Sequence, residues 1–267
     1  MKKFWKIVRI ILWILVIGGA GTLVGFVEDA QYKRVCRGVN ITIDYGAADV
    51  LITEEDVSSI ILRTAGSLKG KPMGLINTGL IEKALLHQPY VGKVRLYGNH
   101  KGDLFVNIRQ REPILRIINK DYENFYLDES GILLPVNPDF SARVLVATGH
   151  IEESFIRSKK REVNPLSLSD SLYYNSPLTN LYRLTMYIIH DPFLKSQIDQ
   201  IYVNESGEFE LIPRVGNHVI IFGEAEEIEP KFRKLLAFYK HGLNEIGWNK
   251  YNIINIKYRN QVICSKQ

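Results

Sequence analysis

The chain has 267 residues, 46% apolar, 24% charged and 10% aromatic, with a formal net charge of +5. This composition excludes extensive disorder, and the length allows one large domain or two modest ones. Lys2, Lys3, Lys6 and Arg9 all precede the first long apolar run, so the remainder of the chain is nearly neutral and its charge gives no argument for a nucleic-acid partner.

From Ile10 to Val27 there are 18 consecutive uncharged residues. As a helix rising about 1.5 Å per residue they reach roughly 27 Å, close to the hydrocarbon thickness of a bilayer. In lipid the backbone must satisfy its own hydrogen bonds, and a helix does so. Basic residues come before this run, and Glu28 and Asp29 come after it. The positive-inside rule then predicts a cytoplasmic tail over 1–9, a transmembrane helix over 10–27 and export of the rest. A cleaved signal peptide is the rival reading, but Gly18 to Gly21 fall inside the run, with more apolar residues beyond them.

Residues 28–37 read as a polar linker. Val39–Ile43 alternates apolar and polar residues, as a half-buried strand does. Thr53 with Glu54, Glu55 and Asp56 predicts a capped helix stopped at Gly66, and Asn77 predicts a second that ends before Pro89. Strands come next over Val91–Tyr97 and Leu104–Gln110, joined by a turn-rich loop at Gly98–Gly102. The order is β-α-α-β-β. Arg111-Glu-Pro113 is the expected boundary, which places a small domain over 38–112 and a second over 113–267.

In the second domain short strands are expected at Ile114–Ile118, Phe125–Asp128, Ile132–Leu134 and Val144–Ala147. Residues 150–170 read as an irregular loop, with the basic run Arg157-Ser-Lys-Lys-Arg161 as a solvated stretch. Ser176 and Pro177 open a helix that stops at Asp191-Pro192. A hairpin over Ile201–Asn204 and Glu208–Ile212 precedes a strand at Val219–Phe222. Pro230 opens a last helix over Lys231–Ile246, and strands over Ile253–Tyr258 and Gln261–Ser265 end the chain at a sheet edge. The fold class is α+β, with a transmembrane helix ahead of two domains.

Cys36 and Cys264 are too few for a disulfide scaffold and read as unpaired, core-like residues. His87, His100, His150, His190, His218 and His241 show no metal-ligand spacing. Gly66-Ser-Leu-Lys-Gly-Lys71 is one residue short of a phosphate loop and is succeeded by Pro72. No nucleophile elbow occurs. Glu54–Asp56 and Glu226–Glu227 are explained by helix-start charge and solvation.

The small domain looks like a POTRA module. Together with the anchor and the second β-rich domain, the chain resembles the bacterial cell-division family FtsQ, called DivIB in Gram-positive species. The residues that carry the likeness are Ile52-Thr-Glu-Glu-Asp56, Ile81-Glu-Lys-Ala-Leu-Leu-His-Gln-Pro-Tyr-Val91, Gly102–Ile114, Tyr126-Leu-Asp-Glu-Ser-Gly131 and Ile254-Asn-Ile-Lys-Tyr258. The 150–200 stretch matches least.

The resemblance implies a non-catalytic scaffold in the cytoplasmic (inner) membrane, with its bulk in the periplasm, gathered at the division septum. It implies FtsB- and FtsL-like partners, with FtsB bound by strand addition at the last strand: Tyr258, Gln261, Val262, Ile263 and Cys264. Where the family carries Asp and Arg, this chain has Asn255 and Lys257, which weakens any salt bridge between them. A POTRA face with Val106, Arg109 and Gln110 is a second docking candidate for other division proteins. No cofactor, metal, nucleic acid or small-molecule substrate is expected. The alternative is a POTRA-bearing envelope transport or assembly component, or an anchored envelope enzyme.

Overall fold

The computed structural model describes residues 12, 13, 15, 16, 18, 34–155 and 176–266. Of the expected span, Leu12, Trp13, Leu15, Val16 and Gly18 are described and helical; the remainder, the tail over 1–9 and the basic run at 157–161 lie outside the described residues. Among the described residues no helix is long and apolar enough to cross a membrane. The chain divides into two compact units, one of Met1–Asp44 with Ile52–Gln110 and one of Tyr45–Leu51 with Arg111–Gln267.

In the first unit β1 (Gly38–Asp44), α1 (Glu54–Ala65), α2 (Thr78–Leu86), β2 (Val91–Gly98) and β3 (Asp103–Gln110) occur in that order. The sheet order is β1-β3-β2, with β1 parallel and β2 antiparallel to the central strand. Helix α1 starts where its sequence says it should. Thr53 accepts from the Asp56 N–H and Asp56 returns the contact to the Thr53 N–H, a closed capping box. Asn77 Oδ1 likewise accepts from the Leu80 N–H at 2.9 Å to start α2. Val57, Ile61, Ile81, Leu85, Leu104, Val106 and Ile108 form the core between helices and sheet.

Arg34–Arg37, read from sequence as linker, is built into this unit. Cys36 is 1% exposed, and Val35 bridges to Pro72. Burial raises the Cys36 thiol pKa.

The second unit is a nine-stranded sheet built from β4 (Pro113–Ile118), β5 (Asn124–Asp128), β6 (Leu133–Pro135), β7 (Leu145–Gly149), β8 (Ile198–Val203), β9 (Phe209–Pro213), β10 (Val219–Gly223), β11 (Ile253–Asn255) and β12 (Ile263–Ser265). Their order across the sheet is β12-β11-β10-β9-β8-β7-β4-β5-β6. Helices α3 (Pro177–His190), α4 (Pro192–Gln197) and α5 (Ile228–Phe238) contribute Leu181, Leu184, Leu194, Phe232 and Leu235 to the core, with Leu115, Ile117, Ile201, Leu211 and Ile254 from the strands.

Three sequence expectations change here. Asp191-Pro192 does not only stop α3; it starts α4, because Asp191 Oδ1 accepts from the Phe193 and Leu194 N–H groups and Pro192 takes the first helical position. Helix α5 begins at Ile228, ahead of Pro230, since a proline in the first turn lacks only an N–H that would have no helical partner. It then widens into a π-helical turn over Tyr239–Leu243 before a last short turn, α6 (Asn244–Ile246). Both final strands are shorter than expected: Ile256–Tyr258 and Gln261–Val262 lie outside β11 and β12.

Candidate functional site

Strand β12 closes one end of the nine-stranded sheet. It pairs antiparallel with β11, setting Ile253 opposite Ser265, Ile254 opposite Cys264 and Asn255 opposite Ile263. Among the described residues no strand pairs with its other side. An edge of this kind offers backbone donors and acceptors to an incoming strand.

The alternation along the edge assigns roles to the side chains. Val262 and Cys264 pack against the core, and burial raises the Cys264 thiol pKa. Gln261 and Ser265 point away from the core, as does Ile263, which is 45% exposed. Ile253 is also exposed, so β11 and β12 both present isoleucine on the outer face. Tyr258 is 48% exposed and lies in the bend after β11, not in a strand. Of the five residues expected to bind a partner, Ile263, Tyr258 and Gln261 are therefore accessible through their side chains, and Val262 and Cys264 bear on the edge chiefly through the backbone.

Polar contacts hold the Ile256–Gln261 connection in place. Lys234 on α5 donates from Nζ to the carbonyls of Ile256, at 2.9 Å, Tyr258, and Gln261, at 3.5 Å. Partial burial lowers the Lys234 pKa, which Glu227 opposes. Asn255 Oδ1 accepts from the Lys257 N–H at 2.9 Å, turning the chain out of β11. Lys257 pairs with Glu208 at the start of the β9 hairpin arm, and this contact raises its pKa. Arg259 makes a two-pronged contact with Glu227, which lowers the carboxyl pKa of Glu227. The expected Asn255–Lys257 weakness is thus resolved by different partners: the asparagine caps backbone and the lysine finds a carboxylate on another hairpin.

Lys234 and Glu208 were not singled out from sequence, and Glu227 reads there only as a carboxylate explained by helix-start charge and solvation. Lys234 sits between apolar stripe residues of a helix, and nothing local says that its ammonium faces three carbonyls.

In the first unit, Val106 is fully buried and Gln110 is buried with its Oε1 accepting from the Ile52 N–H at 3.2 Å. Both face the core and cannot meet a partner through their side chains. Arg109 is exposed. Period-two alternation from Leu104 places Val106 and Gln110 on the opposite face from Arg109, so the signal was present in the sequence.

A cavity of about 460 Å³ lies in the second unit, lined in part by Glu112, Glu129, Arg143, Lys195, Asp199 and Arg214. Among the described residues no serine, threonine, cysteine or histidine lines it. Among the described residues no cluster of three or more His, Cys, Asp or Glu could hold a metal ion.

Residues 34–109 match the family described as POTRA-like domain. Residues 112–265 match the family described as FtsQ/DivIB, C-terminal related, over more than half of the chain. The chain belongs to the FtsQ/DivIB family. No curated protein matches it. The FtsQ/DivIB match ends at Ser265, the last residue of β12, so the terminal edge belongs to the family's own domain. FtsQ/DivIB proteins are division scaffolds without catalytic function, and the two matched domains point to that class of role.

Proposed function

We propose that this FtsQ/DivIB protein is a non-catalytic, membrane-anchored divisome scaffold that captures FtsB- and FtsL-like proteins by strand addition at β12. Residues 1–9 form the cytoplasmic tail, 10–27 the inner-membrane span, 38–112 the POTRA domain and 113–267 the β domain. The protein works at the division septum, with both domains in the periplasm. Other division proteins dock on the POTRA domain through the exposed face that carries Arg109.

The observation that carries this reading is the edge itself: β12 pairs on one side and exposes Ile263, and the exposed Tyr258 stands on the preceding connection, which Lys234 pins. A partner strand laid against β12 gains backbone hydrogen bonds along the edge and covers both apolar side chains. Glu208, Lys257, Glu227 and Arg259 are already paired around it, so an incoming strand meets few uncompensated charges.

The test is a pull-down from membranes with the intact protein. Recovery of an FtsB- or FtsL-like protein is expected, and it is lost on Tyr258→Glu or on deletion of 261–267. Recovery of neither partner by the intact protein rejects the scaffold reading. Unchanged recovery by both variants rejects only the assignment of the edge.

A further inference from the structure

The first unit carries unpaired positive charge at the end where the chain enters it. Three segments meet there through backbone hydrogen bonds. The Cys36 N–H donates to the Lys71 carbonyl at 2.7 Å, Gly70 N–H to the Cys36 carbonyl at 2.8 Å, and Arg37 N–H to the Gly102 carbonyl at 2.8 Å. They bring Arg34, Arg37, Lys69, Lys71 and Lys101, all exposed, to one end of the three-stranded sheet.

Two of these cations already donate to the backbone: Arg34 to the His100 carbonyl, and Lys71 to the Ala65 carbonyl at 2.6 Å. Neutral acceptors leave their charge intact. Among the described residues none of the five forms an ion pair. Asp103 is also at this end, where its carboxylate accepts from Asn99 Nδ2 at 3.0 Å. The opposite end holds Asp44 and the first turn of α1, with Glu54, Glu55 and Asp56, and there Lys93 and Arg109 offset part of the negative charge. The unit is electrically polarised along its strands.

The basic end also exposes apolar side chains. Val35 is 53% exposed beside Pro72, and Leu75, in a short 3₁₀ turn over Met73–Leu75, is 65% exposed. Cations around exposed aliphatic groups suit the boundary between lipid headgroups and acyl chains. The chain length brings such a surface within reach. Val27, the last residue of the apolar run, is seven positions before Arg34. At no more than about 3.5 Å per residue, the tether is at most roughly 25 Å long.

We propose that this end of the POTRA unit lies on the bilayer and binds anionic lipid headgroups through Arg34, Arg37, Lys69, Lys71 and Lys101, with Val35 and Leu75 entering the interfacial layer. The contact orients the domain, so that the acidic end of its sheet points away from the membrane. This rests on residues 10–27 being the span.

The test uses the full chain in lipid nanodiscs, with a fluorophore on Ser67→Cys in a Cys264→Ser background; Cys36 is too buried to label. Ser67 is exposed, in the loop that carries Lys69 and Lys71. Quenching by lipids with spin-labelled headgroups reports how close that loop lies to the surface. Stronger quenching is expected in phosphatidylglycerol discs than in phosphatidylcholine discs, and it is lost at high salt. Lys69→Gln and Lys101→Gln each lower the ratio of docked to undocked protein about fivefold. Equal quenching in both lipids, or no change in the triple variant Lys69→Gln, Lys71→Gln, Lys101→Gln, overturns the proposal. Dependence on Leu75→Asn with no dependence on charge overturns headgroup binding as well. Carbonate extraction of membranes separates the two readings. An extracted chain removes the anchor and this proposal together, and a retained chain with lipid-independent quenching removes the proposal alone.

Discussion

Lys234 Nζ donates to the carbonyl of Ile256 at 2.9 Å, so helix α5 and the end of β11 are joined by one ammonium group. The same nitrogen reaches the Tyr258 and Gln261 carbonyls. Ile256, Tyr258 and Gln261 lie on the connection between the last two strands, and that connection sets where Tyr258 stands relative to β12. The edge is therefore shaped by a residue outside it.

Replacing that ammonium should loosen the edge without unfolding the domain. Lys234→Met removes the shared donor, and the expected loss of stability is about 1–2 kcal/mol. Amide hydrogen exchange should accelerate over 256–265 and stay near wild type in β8 and β9. Partner affinity should fall although Lys234 itself is not on the proposed binding strand. Wild-type exchange over 256–265 would show that the three carbonyls need no common donor.

The two sides of β12 should respond differently to charge. Ile263→Glu puts a carboxylate on an exposed face, so the change in stability is expected within about 0.5 kcal/mol, with partner affinity reduced tenfold or more. Cys264→Asp puts a carboxylate where the side chain packs on the core, so it should lower the urea midpoint clearly. Equal effects of the two variants on stability would contradict the alternation read along the strand.

His218 predicts a pH dependence. It is buried, its Nε2 lies 2.9 Å from the Tyr239 hydroxyl, and its Nδ1 has no partner among the described residues. Burial lowers its pKa. The unfolded chain takes up a proton near pH 6.5 that the folded imidazole resists. Stability from this group is thus complete above about pH 6.5 and is lost as pH falls toward the depressed folded value, by up to about 1.4 kcal/mol per pH unit. Urea midpoints at pH 7.5 and 5.5 should differ less in His218→Gln than in the wild type. An identical difference in both proteins would exclude the imidazole as the source.

Gly149 is a backbone requirement at the β7–β8 junction. Its φ is +103°, and a Cβ there would lie 2.1 Å from the Val203 carbonyl oxygen, which also accepts from the His150 N–H at 2.8 Å. Gly149→Ala meets strain and collision together, and a loss above about 2 kcal/mol is expected in chemical denaturation. A near-neutral substitution would mean that the two strands can separate locally without cost.

The first unit was legible almost element by element because its signals are local. Thr53 and Asn77 cap the helices that their side chains predict, alternation marks β1 and β3, and turn formers mark the loop at 98–102. Alternation also holds the correction to the POTRA face, since it separates buried Val106 and Gln110 from exposed Arg109. In the second unit Ser176 and Pro177 likewise open α3 as their chemistry requires.

The candidate site was legible in its place in the chain and not in its shape. Composition and periodicity point to strands at the C-terminus, but the end of β11 depends on Asn255 turning back on the Lys257 N–H and on Lys234 taking the next carbonyls. Those partners are 2 and 22 residues from the groups they bind, and no helix or strand period records the longer contact. Caps, alternation and the motif order that marks the family are contacts between near neighbours, which a linear pattern can carry. Which strand ends the sheet, which lysine holds its connection and which charges find partners depend on segments brought together by burial, and only the folded chain decides them.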